Sequence, residues 1–161
     1  MKTLREIMRP GFIFGVQREA SVADAARTMT TNNVGIVAVF AGDRLVGVFS
    51  ERDIVRRVVD RGLDPARTPV TNVMTTDLVV AQADDDYRSA MRAMDQTNIR
   101  HLPVVSGDRL LSMLSIRDLM RVDLEDKGQE IRALHEYLYQ VPPGGVGYPP
   151  RNELSAEPAQ R

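Results

Sequence analysis

Residues 50–53 read Ser-Glu-Arg-Asp, and residues 115–118 read Ser-Ile-Arg-Asp. Each phrase follows a short apolar run, LVGVF at 45–49 or LLSML at 110–114, and leads into two apolar residues and an arginine. The phrases belong to a longer duplication. Shifting the chain by 65 positions aligns 21–56 with 86–121 without gaps, and thirteen of those 36 positions are identical. They include Asn33/Asn98, the block Gly42-Asp43-Arg44-Leu45 against Gly107-Asp108-Arg109-Leu110, and Arg56/Arg121. Two copies are too few for a solenoid and imply two halves related by a pseudo-twofold axis.

Each half carries the same succession of patterns. A short helical turn (EIM at 6–8, NVM at 72–74) precedes a short strand, FIFGV at 12–16 or LVVA at 78–81. Thr68 and Pro69 read as a cap with proline in the first helical position. A helix then starts at Ser21 or about Asp85. Its apolar stripe is Val22, Ala25, Ala26 and Met29 in one copy and Tyr87, Ala90, Met91 and Met94 in the other, the spacing of one helical face. Two strands joined by a Gly-Asp turn follow, and Ser50 or Ser115 opens the last helix. The order β-α-β-β-α, written twice, predicts an α/β (α+β) fold. The expected organisation is repeat 1 at 1–66, repeat 2 at 67–124, a C-terminal helix at 125–141 and a flexible proline- and glycine-rich tail at 142–161.

Composition removes several functions. The 161 residues hold 21 basic and 22 acidic side chains, a net charge of -1, so no whole-chain field exists to grip nucleic acid or an anionic membrane. There is no cysteine, which removes disulfide and thiol chemistry. His101 and His135 without cysteine do not suggest a structural zinc site. Asp84, Asp85 and Asp86 lack the further spaced ligands of a calcium loop and read as the acidic start of a helix. The longest apolar run, at 34–42, is too short to span a bilayer, and the N-terminus has no signal-peptide core. A cytoplasmic protein is expected.

The duplicated phrase has two readings. Ser-x-x-Asp before an apolar helix is a capping box, in which each side chain ties off the other's backbone N–H. The same geometry serves a ligand. Serine and aspartate three apart share one face, a carboxylate accepts both hydroxyls of a ribose diol, and Arg52 or Arg117 suits phosphate. Arg56, Arg57 and Arg61 read as solvated helix-face charges or a dimer rim, and the methionines as core filler.

The double β-α-β-β-α order, with IRHLPVV at 99–105, GVFSERD at 47–53 and VMT at 73–75, resembles a tandem CBS-domain pair, or Bateman module, over about residues 3–123. The first leading turn departs from the pattern, reading IMR at 7–9. The resemblance implies an adenosine ligand (AMP, ATP, NAD(H) or S-adenosylmethionine) in the cleft between the two sheets. It implies ribose-holding roles for Asp53 and Asp118, with Ser50 and Ser115 beside them. Arg100 and His101 would reach phosphate, and the strand backbone at Val16 and Val80 would frame adenine. It also implies a homodimer formed through helices.

The halves differ where Arg100 and His101 align with Gly35 and Ile36. The Asp53 site, faced by Arg100 and His101, is therefore expected to grip phosphate. The Asp118 site, faced by Gly35 and Ile36, suits an uncharged group or stays empty. Ser112 in place of Gly47 is expected to narrow the second cleft. A histidine entering a strand is also an ordinary hydrogen-bonded rim residue.

The leading expectation is a non-catalytic sensor module signalling to a separate regulated protein. A ligand-free scaffold using the C-terminal helix and tail is the alternative. An enzyme would need acid–base groups in the cleft, where only the aspartates and His101 qualify; neither a glycine-rich phosphate loop nor a catalytic triad pattern is present.

Overall fold

The computed structural model describes residues 2–8 and 13–139, with side chains through Tyr137. Residues 1–123 form one compact unit, and a second begins at Leu124. The first unit holds two three-stranded sheets. Its elements run α1 (Leu4–Ile7), β1 (Gly15–Gln17), α2 (Val22–Asn32), β2 (Ile36–Ala41), β3 (Arg44–Ser50) and α3 (Glu51–Asp53), which continues as a π-helix over Ile54–Val59. A 3-10 turn at Val70–Asn72 opens the second copy. It is followed by β4 (Ala81–Gln82), α4 (Tyr87–Gln96), β5 (His101–Ser106), β6 (Arg109–Ser115) and α5 (Ile116–Tyr139).

In each sheet the first strand pairs parallel with the second, and the second antiparallel with the third. The duplication extends to backbone detail. The register slips between Val39 and Phe40, and again between Val104 and Val105. Asn33 and Asn98 both hold left-handed φ, 51° and 53°, a conformation asparagine tolerates better than most residues. Gly42 (φ 62°) and Gly107 (φ 58°) make the tight hairpin turns.

The stripe residues fill two cores. Val22, Ala25 and Met29 pack with Val37, Val39, Phe49 and Val58. Tyr87, Ala90 and Met94 pack with Leu102, Val104, Leu114 and Leu119. Fully burying such a side chain contributes about 1.5–3 kcal/mol. A third cluster joins the sheets through Ala38, Val105 and Leu110. The leading turns cross over. Leu4, fully buried, belongs to the core of the second copy, where its N–H donates to the Asp85 carbonyl at 2.9 Å. Val70 and Val73 lie in the core of the first.

Several sequence expectations shift, and the first strand is one: expected at 12–16, it starts only at Gly15 and runs on to Gln17. The stretch 78–81 is strand only from Ala81, and Val79 and Val80 are exposed; the parallel pairing with β5 spans two residues, too few to hold the chain extended further back. The final repeat helix and the C-terminal helix are one element, α5, because nothing between 121 and 127 stops a helix and Gly128 only weakens it. Pro69 is the cap residue, not the first helical one, and the Thr68 hydroxyl donates to the Asp64 carbonyl at 2.7 Å. Helix α4 begins at Tyr87 with Asp86 as its cap, while Asp85 accepts from the Gln82 N–H and Asp84 pairs with Arg5 at 2.8 Å. Phe12, Arg9 and the tail at 142–161 lie outside the described residues. No described helix is long and apolar enough to cross a membrane.

Candidate functional site

Both copies of the phrase are capping boxes. The Ser50 N–H and hydroxyl donate to Asp53 Oδ2 at 2.9 and 2.8 Å, and the Asp53 N–H donates back to Ser50 Oγ at 3.3 Å. At Ser115 and Asp118 the same three bonds measure 2.9, 2.5 and 3.3 Å. A third box, Ser21 with Asp24, is built the same way, yet its carboxylate is 51% exposed against 14% for Asp53. Capping therefore does not require the half-buried setting of the duplicated pair. In both pairs capping takes up Oδ2 and leaves Oδ1 outside the box, and both aspartates line a hollow, so the two readings of the phrase are compatible.

The first hollow, about 370 Å³, brings Ser50, Arg52 and Asp53 opposite Arg100 and His101. The volume is that of a small-ligand pocket. Its lining carries four arginines, Arg52, Arg56, Arg57 and Arg100, against two carboxylates, Glu51 and Asp53. Arg57 is not a solvated helix-face charge. Its Nη1 donates to the carbonyls of Val73 and Met74, both at 2.9 Å, and its Nε lies 3.4 Å from Asp53 Oδ1. The wider π-helical turn carries both Arg56 and Arg57 in this lining, a placement such turns often have at functional sites.

The second hollow, about 510 Å³, joins Ser115, Arg117 and Asp118 with Gly35 and Ile36. Two arginines, Arg100 and Arg117, balance Glu51 and Asp118. The position matching Arg57 is Val122, which packs against the second core. Asp118 Oδ1 consequently has no ion pair or hydrogen bond among the described residues.

His101 lines both hollows. Burial pushes its pKa below the usual imidazole value of 6.5, while Asp118 and Glu51 pull it partly back up and Arg100 and Arg117 push it further down. The ring is thus held largely neutral near pH 7, with one nitrogen to donate a hydrogen bond and the other to accept one.

Val16 and Val80 line neither of these hollows. Val16 packs toward the first core, and Val80 sits on irregular exposed chain. Phe14 borders the second hollow and Thr75 the first. Thr75 is held by paired backbone bonds to Val48, 2.9 and 3.0 Å. A Cβ on Gly47 would meet Met74 Sδ at 2.6 Å, so glycine lets the 74–75 segment cross β3. Ser112 is buried and is not in the lining of the second hollow. Glu51, common to both hollows, has Ile116 as its counterpart and carried no sequence signal. Arg57 had one, its spacing of four from Asp53. Among the described residues no group of three His, Cys, Asp or Glu side chains is placed to hold a metal ion.

Comparison with known proteins decides the family: the CBS domain model matches residues 4–60 and 70–125. The chain belongs to the CBS-domain family. It is 32% identical over 123 residues to the CBS domain-containing protein CBSX3, mitochondrial, of Arabidopsis thaliana, covering 73% of this chain and 60% of that protein's length. A CBS-domain protein of Burkholderia ambifaria superposes with a TM-score of 0.73 at 29% identity, covering 78% of this chain and 96% of the other. A CBS domain protein from Pyrobaculum aerophilum, complexed with AMP, superposes with a TM-score of 0.66 at 30% identity, covering 73% and 89%. Tandem CBS domains are known as regulatory nucleotide-binding modules.

Proposed function

We propose that this chain is a non-catalytic regulatory module that binds an adenine nucleotide in the first hollow. The observation that carries the reading is the meeting of the Ser50–Asp53 helix start with Arg100 and His101 in one pocket lined by four arginines and two carboxylates. Asp53 accepts the ribose hydroxyls through the carboxylate face that capping leaves open. Arg52, Arg56 and Arg100 make charge-assisted bonds to phosphate, while Arg57 braces Asp53. The Pyrobaculum relative in complex with AMP supports the ligand class.

The module acts as a homodimer. Val55, Val59 and Met120 stand 61%, 65% and 52% exposed. Val55 and Met120 occupy matching positions in the repeat, so the axis relating the halves presents equivalent apolar positions for a second copy. The occupied module signals to another protein and does not transform its ligand.

The test is thermal unfolding with AMP, ADP, ATP, NAD, NADH and S-adenosylmethionine. A ligand at about 100 times its dissociation constant adds about 2.7 kcal/mol, a shift on the order of 5–10 °C for a domain of this size. The nucleotide is recovered unchanged after prolonged incubation. Absence of any shift with all six compounds overturns the reading in favour of a ligand-free scaffold.

A further inference from the structure

The two hollows share a wall: Gly35, Ile36, Glu51, Arg100 and His101 line both. We propose that Arg100 is a single guanidinium serving two sites, so that each chain binds one phosphorylated ligand tightly and leaves its second hollow to an uncharged nucleoside. The proposal rests on the nucleotide reading above and adds the coupling between the sites.

Three observations carry it. Arg100 is exposed, and while its backbone carbonyl accepts from the Ile116 N–H at 2.9 Å, its guanidinium makes no hydrogen bond or ion pair among the described residues, so nothing commits its head group to either side. No second guanidinium exists to complete the symmetry, because the matching position is Gly35. The charge left behind is also unequal. Without Arg100 the first hollow keeps Arg52, Arg56 and Arg57 against Glu51 and Asp53. The second keeps only Arg117 against Glu51 and Asp118.

A phosphate in the first hollow therefore draws Arg100 to itself and leaves the second lined by net negative charge, which repels a second phosphate at this short range. An uncharged nucleoside does not feel that repulsion, and Asp118 Oδ1 is free to take its diol. By linkage, a phosphate forced into the second hollow weakens the first by the same factor.

The experiment is calorimetric titration of the full chain with AMP, then of the AMP-saturated chain with adenosine. Two AMP steps are expected, the second at least about tenfold weaker, with adenosine binding the AMP-loaded chain at least about tenfold more tightly than the second AMP does. Arg100→Ala weakens the first step by about tenfold, the worth of one charge-assisted contact, and leaves the second where it was, so the gap closes. Unfolding of the unliganded variant at the wild-type temperature shows that the fold is intact, and Arg100→Lys restores part of the gap. Two equal AMP steps, equal weakening of both steps by Arg100→Ala, or failure of adenosine to bind the AMP-loaded chain each overturn the proposal while leaving the nucleotide reading standing. Failure of AMP to bind at all overturns both.

Discussion

The helix start at Ser50 and its copy at Ser115 agree in every backbone device and differ in what surrounds the carboxylate. Both close a capping box, both follow a strand with the same register slip, and both face the other half's β strand. Around Asp53 a π-helical turn presents Arg56 and Arg57. Around Asp118 the helix stays regular, and the residue one turn on is Val122, turned to the core. Duplication has kept the elements that hold the backbone while the side chains reaching the ligand space diverged. Backbone geometry must satisfy two cores, each completed by the other copy's leading turn; the lining of each hollow answers only to what enters it.

The largest effect that could break this picture is on the cores. Phe49 and Leu114 occupy matching positions, both buried. Phe49→Ala is expected to cost about 3–5 kcal/mol and Leu114→Ala about 2–5 kcal/mol. Because the leading turns cross, each lowers the midpoint of a single shared unfolding transition followed by circular dichroism. Two separate transitions would mean that the halves are energetically independent.

The next contrast is between capping boxes. Asp53→Asn is expected to weaken AMP binding by about tenfold, since a carboxylate bond to ribose is lost. Asp24→Asn, in the exposed box, leaves the AMP affinity at its wild-type value in the same calorimetric titration.

A third contrast concerns pH. The His101 imidazole is held below 6.5 in the fold by burial and returns to about 6.5 when unfolded. Between those two values the unfolded chain binds more protons, so this contribution to stability is complete above pH 6.5 and is lost as pH falls through the window. Urea unfolding at a series of pH values should show that slope, and His101→Gln should flatten it. The smallest effect is on α5, where Gly128→Ala, whose new methyl group meets nothing nearer than Arg132 Nη2 at 3.9 Å apart from its chain neighbours and the helix's own backbone, is expected to add up to about 1 kcal/mol of helix stability and to raise helicity slightly.

Much of this architecture was legible because duplication makes weak signals coincide. Gly42 with Gly107, and the stripes through Met29 and Met94, each gain force from their counterparts. The pairing of Asp53 with Arg100 and His101 followed from asking what a pseudo-twofold axis would bring together. What could not be read were features that depend on three-dimensional closeness without a local pattern. The grip of Arg57 on two carbonyls from a distant turn is one, and the position of Glu51 between both hollows is another. The run at 78–80 misled because apolar, β-branched residues look like strand wherever they fall, while pairing requires a partner strand alongside. The final repeat helix and the helix expected from 125 are continuous because the polar stretch between them holds neither proline nor any other stop signal, and Gly128 falls inside the second of them, where a helix tolerates it at modest cost.

The crossing of the leading turns has a consequence for how such a molecule could arise. Leu4 completes the farther core and Val70 the nearer one, so a lone repeat always lacks a piece that only another repeat can donate. Two identical single-repeat chains could lend each other that arm across a true symmetry axis and form a closed pair. Joining them end to end would make the exchange internal, and from that moment each copy of Ser-x-Arg-Asp would be free to acquire neighbours of its own.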